Sequence, residues 1–79
     1  MHILKIEDIY VPTERRKELD PTKVDQVAEE IISEAEERPI SVRKGKERYV
    51  LLRGIHRLEA HKALGETTIK GYIMNALQR

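Results

Sequence analysis

At 79 residues the chain has room for one hydrophobic core, of a size that buries roughly 60% of its unfolded surface, and it is read as one domain over residues 1–79. Its 15 Lys and Arg against 14 Asp and Glu leave a net charge of +1, which is no footprint for strong direct DNA binding, and the absence of Cys excludes disulfides, thiolate metal sites and a cysteine nucleophile. No apolar run reaches the roughly 18 to 20 residues of a membrane span and the N-terminus lacks a secretory core, so a cytoplasmic protein without a membrane partner is expected. With no Phe and no Trp, the core must come from Ile, Leu, Val and Ala, and a homodimer would relieve the shortage.

The chain opens with apolar residues at Ile3, Leu4, Ile6, Ile9, Tyr10 and Val11, a spacing that suits a strand and a short turn better than a helix. Pro12 ends it, and the charged stretch Pro12 to Leu19 reads as an exposed loop. A solvated charge run explains that loop; the alternative is that Arg15, Arg16 or Lys17 folds over a phosphate-containing ligand. Asp20-Pro21 then signals a helix start, because aspartate accepts bonds from orphan N–H groups and proline at the first position sacrifices none. Val24, Val27, Ala28, Ile31, Ile32 and Ala35 follow at helical spacing, so this is the most strongly encoded element. Its acidic opposite face reads as solvated. Lys23 sits in the first turn, where an unpaired cation is disfavoured, and is a candidate phosphate contact.

Pro39 forbids further helix, and Pro39 to Arg43 alternates like a strand. The turn Lys44 to Glu47 returns the chain through Arg48 to Leu52 as the hairpin partner. Gly54 then breaks the strand, and Ile55, Leu58, Ala63 and Leu64 carry a second helix that Gly65 can close. Thr67 to Met74 reads as a last strand interrupted by Gly71, with residues 75–79 frayed. The order of elements indicates a small α+β fold with a mixed sheet and two main helices.

Chemistry concentrates at the strand–glycine–helix junction. The first N–H groups of a helix lack intrahelical partners and carry the positive end of the dipole, so an anion can dock there. His56 and Arg57 fall in that first turn, where cations are disfavoured unless an anion joins them. The same residues also fit a glycine-kinked turn whose Arg57 pairs with a surface carboxylate. His56 and His61 do not share the i, i+4 spacing of a zinc-binding helix, and no metal site is expected. His56 and Glu59 share a helix face, as an ion pair or as a dyad. Neither Ser33 nor Ser41 has the glycines of a nucleophile elbow.

From Leu52 to Gly65, preceded by Asp20-Pro21-Thr22-Lys23-Val24 and Pro39-Ile40-Ser41-Val42, the chain resembles the ParB/sulfiredoxin superfamily over essentially its whole length. The resemblance implies a small α+β fold that binds a nucleotide with its glycine turn. Sulfiredoxins hold ATP with residues matching Lys23, His56 and Arg57, but their catalytic cysteine falls where this chain has Ile55. Cysteine-based repair is therefore not expected. Gln26 and Glu30 stand where sulfiredoxins carry small hydroxyl residues near the nucleotide. ParB proteins use the domain as a CTP-dependent clamp with a Gly-Glu-Arg-Arg turn, and they add DNA-binding and dimerisation regions that this sequence does not show, so partition-site recognition would need a partner. Free-serine kinases carry Gly-His-His-Arg and a glutamate base, whose loose counterpart is Glu14.

The resemblance and the residues together imply a module holding ATP or CTP phosphates, with or without Mg2+, on Gly54, Ile55, His56 and Arg57, assisted by Lys23. Hydrolysis or phosphoryl transfer would then fall to Glu14 or Glu30 as base or metal ligand. The alternative is a non-catalytic regulatory or partition-associated module acting with a protein or DNA-binding partner.

Overall fold

The computed structural model describes residues 1–33 and 38–74. Ala35 of the predicted apolar stripe, the acidic Glu34, Glu36 and Glu37, and the segment 75–79 lie outside the described residues. Five strands, β1 (His2–Lys5), β2 (Ile9–Tyr10), β3 (Ile40–Lys44), β4 (Tyr49–Arg53) and β5 (Thr68–Met74), form one sheet in the order β1-β5-β3-β4-β2. Helices α1 (Thr13–Arg16), α2 (Pro21–Ser33) and α3 (Ile55–Ala63) complete the α+β fold. No helix among the described residues is long and apolar enough to cross a membrane.

The opening apolar run divides between the two edges of the sheet. His2–Lys5 runs antiparallel to β5, a single 3-10 turn at Ile6–Asp8 redirects the chain, and Ile9 and Tyr10 pair in parallel with Tyr49 and Val50 of β4. Stacking of the Arg48 guanidinium over the Tyr10 ring, 4.0 Å from its centroid, adds on the order of 0.5–1 kcal/mol to this short edge pairing. The expected hairpin of β3 and β4 forms, with a register shift between Ser41 and Val42. β3 also pairs in parallel with β5, and such a pairing needs a crossover, which β4 and α3 supply.

One face of the sheet buries Leu4, Ile40, Val42, Leu51 and Ile69 against Ile55 and Leu58 of α3. Each such aliphatic side chain contributes about 1.5–3 kcal/mol on burial, so ten of them replace the missing Phe and Trp. Gly71 does not interrupt β5. It is buried within the strand, and a Cβ there would lie 2.9 Å from Leu4 Cδ1 and 3.1 Å from Ile40 Cγ1, so the glycine lets neighbouring strands pack closely.

One further expectation needs correction, and one feature of α2 was not foreseen. The charged segment after Pro12 is not all loop: Thr13–Arg16 forms one helical turn, closed by Arg16 Nε donating to the Val11 carbonyl at 3.2 Å. The strongly patterned α2 contains no fully buried residue, because it packs chiefly on α3 rather than on the sheet. Val24, Val27, Ala28 and Ile31 are half-buried, and Ile32 is 67% exposed.

Candidate functional site

β4 ends at Arg53, and Gly54 takes φ 106, ψ 33, in the left-handed region that favours glycine. Space imposes the same choice: a Cβ on Gly54 would sit 2.6 Å from Ile40 Cγ2. The Gly54 carbonyl accepts from the Leu58 N–H at 2.9 Å, which starts α3, yet no side chain caps the helix. The first-turn N–H groups of Ile55, His56 and Arg57 therefore point at the helix mouth without a capping side chain. Buried Ile55 and Leu58 anchor that turn in the core, so the donors are rigidly placed. At its other end α3 closes as expected, with Gly65 at φ 82 and the paired bonds Gly65 N–H to Lys62 O and Glu66 N–H to His61 O, each 3.0 Å.

The start of α2 lies beside this mouth. His56 Nε2 accepts from the Asp20 backbone N–H at 3.0 Å, a link across 36 positions of sequence. As an acceptor Nε2 carries no proton, leaving Nδ1–H as the donor His56 can offer elsewhere. Asp20 Oδ1 accepts from the Thr22 N–H at 3.0 Å, so the predicted cap is in place. Glu30 also reaches the junction: its Oε1 is 3.7 Å from Arg57 Nη2, with the arginine side chain only 13% exposed and the glutamate 56%. At that separation the pair is an ion contact rather than a hydrogen bond.

The structure thus brings together Gly54, Ile55, His56, Arg57 and Glu30 of the expected set. Lys23 and Glu14 are exposed, and among the described residues no side-chain hydrogen bond or ion pair ties either to the turn. Arg15 pairs with Glu18 at 2.9 Å and Arg16 is held by Val11, so two of the three loop cations are engaged within the loop. Glu59 lies 3.3 Å from Lys62, an i, i+3 contact on α3. Among the described residues no cluster of three or more His, Asp or Glu could hold a metal ion.

Sequence reasoning missed a cavity of about 460 Å³ beside Arg57, bounded by Arg38, Arg57, His61, Glu66 and Lys70 over an apolar floor that includes Ile3, Ile31 and Ile69. His61 Nδ1 is 3.8 Å from Glu66 Oε1 there. The i, i+4 spacing of Arg57 and His61 was a usable signal for a shared face. Arg38 and Lys70 arrive only through the pairing of β3 with β5, which local spacing does not encode.

The profile of the ParB N-terminal domain matches residues 1–79. No curated protein sequence matches the chain. Among solved structures, sulfiredoxin from Arabidopsis thaliana is similar with a TM-score of 0.81 at 32% identity, over 96% of this chain and 88% of that one. The C-terminally truncated chromosome-partitioning protein ParB from Caulobacter crescentus, complexed with CTP-γ-S, is similar at 0.78 and 18% identity, over 98% of this chain and 45% of that one. A free serine kinase in complex with AMP is similar at 0.75 and 15% identity, over 92% of this chain and 30% of that one. The last two likenesses concern the fold. The chain belongs to the ParB N-terminal domain family, within the ParB/sulfiredoxin superfamily.

Proposed function

We propose that this member of the ParB N-terminal domain family is a nucleotide-binding module whose Gly54–Arg57 turn holds the phosphates of ATP or CTP. The observation that carries the reading is the α3 start: a helix mouth with no side-chain cap, fixed by a glycine where any side chain would be strained and flanked by His56 and Arg57. Oriented N–H groups on a rigid core-anchored turn bind an anion without reorganisation cost. ParB from Caulobacter crescentus with CTP-γ-S and the serine kinase with AMP support a nucleotide as the ligand. In this reading Arg57 exchanges its long contact with Glu30 for a phosphate, since a contact of 3.7 Å to a largely exposed glutamate holds it weakly. Lys23 extends from the neighbouring helix start to the phosphate tail.

Ile55 is 4% exposed and offers no nucleophile, so chemistry through a covalent sulfur intermediate is not part of the proposal. Phosphoryl transfer or hydrolysis would be positioning and charge neutralisation, with Mg2+ carried on the phosphates and Glu30 a carboxylate in contact with Arg57 of the turn. Glu14, on α1, would take part only by closing over the ligand. A second reading, a regulatory module acting with a protein partner, is favoured by the same contact: an arginine already paired with Glu30 needs no phosphate.

Calorimetric titration with ATP, CTP, ADP and GTP, with and without Mg2+, separates the two. Saturable binding by the native chain that falls at least ten-fold in Arg57→Ala is the expected result. Unchanged affinity in the variant would remove Arg57 from the site, and no binding to any nucleotide would favour the regulatory reading.

A further inference from the structure

The near-zero net charge conceals a segregation. None of the five strands contains an Asp or Glu, while they carry Lys5, Arg43, Lys44, Arg53 and Lys70; among the described residues the carboxylates lie in helices and connections. Strand alternation places Ile3, Lys70, Tyr72 and Met74 on the face of β1 and β5 opposite to buried Leu4 and Ile69, with the pairs Ile3 and Lys70, and Arg43 and Met74, in direct register. Among the described residues no element covers this face. Ile3 is 70% exposed, Tyr72 49% and Met74 47%, against 4% for both Leu4 and Ile69. An open sheet face is ordinarily polar, and here large apolar side chains alternate with cations instead.

We infer that the open face of β1, β5 and β3 is a docking surface for an acidic segment of a partner protein that carries apolar anchors at alternate positions. Apolar anchors would cover Ile3, Tyr72 and Met74, and carboxylates would meet Arg43 and Lys70 at the period of a strand. A symmetric pairing of two copies through this face would oppose like charges. Single-stranded nucleic acid would find one tyrosine to stack on, since aliphatic side chains offer bases no platform. Ile3 and Lys70 also line the cavity beside Arg57, but Arg43, Tyr72 and Met74 do not, and the inference does not rest on nucleotide binding.

The test uses the 15N-labelled full chain titrated with an eight-residue peptide alternating Val and Glu, a counterpart alternating Val and Lys, and an oligothymidylate. The expected result is saturable amide shifts confined to β1, β3 and β5 with the Val/Glu peptide, weakened at least ten-fold in Arg43→Glu/Lys70→Glu and in Tyr72→Ser. The well-dispersed spectrum of each variant verifies folding before titration. The inference is overturned by equal response to the Val/Lys peptide, by no response on these strands, by variants that bind normally, or by a stronger response to the oligothymidylate. Concentration-dependent self-association in sedimentation, lost in the charge-reversed variant, would likewise overturn it in favour of a second copy.

Discussion

The starts of α2 and α3 adjoin at the Asp20–His56 bond, yet they are built on opposite plans. α2 opens with a capped end: Asp20 caps the Thr22 N–H, and Pro21 removes a donor that would otherwise need a partner. α3 opens with no side-chain cap, on a glycine in the left-handed region. The contrast continues into the packing. α2, with the clearest apolar stripe, buries none of its residues fully, whereas α3, with a weaker stripe, seals Leu58 and Ala60 completely. A helix that must stand on its own local signals takes a full cap. One held by the core can leave its N-terminal donors open for a ligand.

This contrast can be broken most severely at Gly54. Gly54→Ala should destabilise the fold by on the order of 3 kcal/mol, from left-handed strain and overlap with Ile40, read as a lower midpoint in urea with unchanged slope. A loss below about 1 kcal/mol would mean that the turn relaxes and is not tightly placed. Of comparable size, Leu58→Ala should cost about 2–5 kcal/mol, while Ile32→Ala on the neighbouring helix should change stability by less than about 0.5 kcal/mol. Equal losses at the two sites would contradict the peripheral placement of α2. The smallest effect sharpens the comparison at the cap: Asp20→Ala should cost about 1 kcal/mol while the backbone donor to His56 survives. Circular dichroism melts would detect it as a modest drop in midpoint, and an unchanged midpoint would show that the cap is dispensable.

Much of the architecture was legible in the sequence because its signals are local. Asp20-Pro21 and Gly65 act through neighbours within one turn, and the alternation of Ile40 and Val42 or Leu4 and Lys5 is a property of the strand itself. The Gly54 turn was legible for the same reason. Gly71 was misread because its role depends on Leu4 and Ile40, which approach it from two other strands. The half-burial of α2 was not legible, because periodicity reports which face is apolar and not how closely another element covers it.

By itself, then, the amino-acid sequence determined the identity and limits of most elements, the glycine junction and the excess of cations in the strands. These follow from caps, fixed backbone angles and side-chain periods that act over a few residues. Tertiary structure alone decided that the opening run serves both edges of the sheet, that His56 meets Asp20 and Arg57 meets Glu30, and that Ile3, Tyr72 and Met74 face outward together. Each of these joins residues far apart in the chain. Their proximity is set by strand order and shared burial, which no local spacing records.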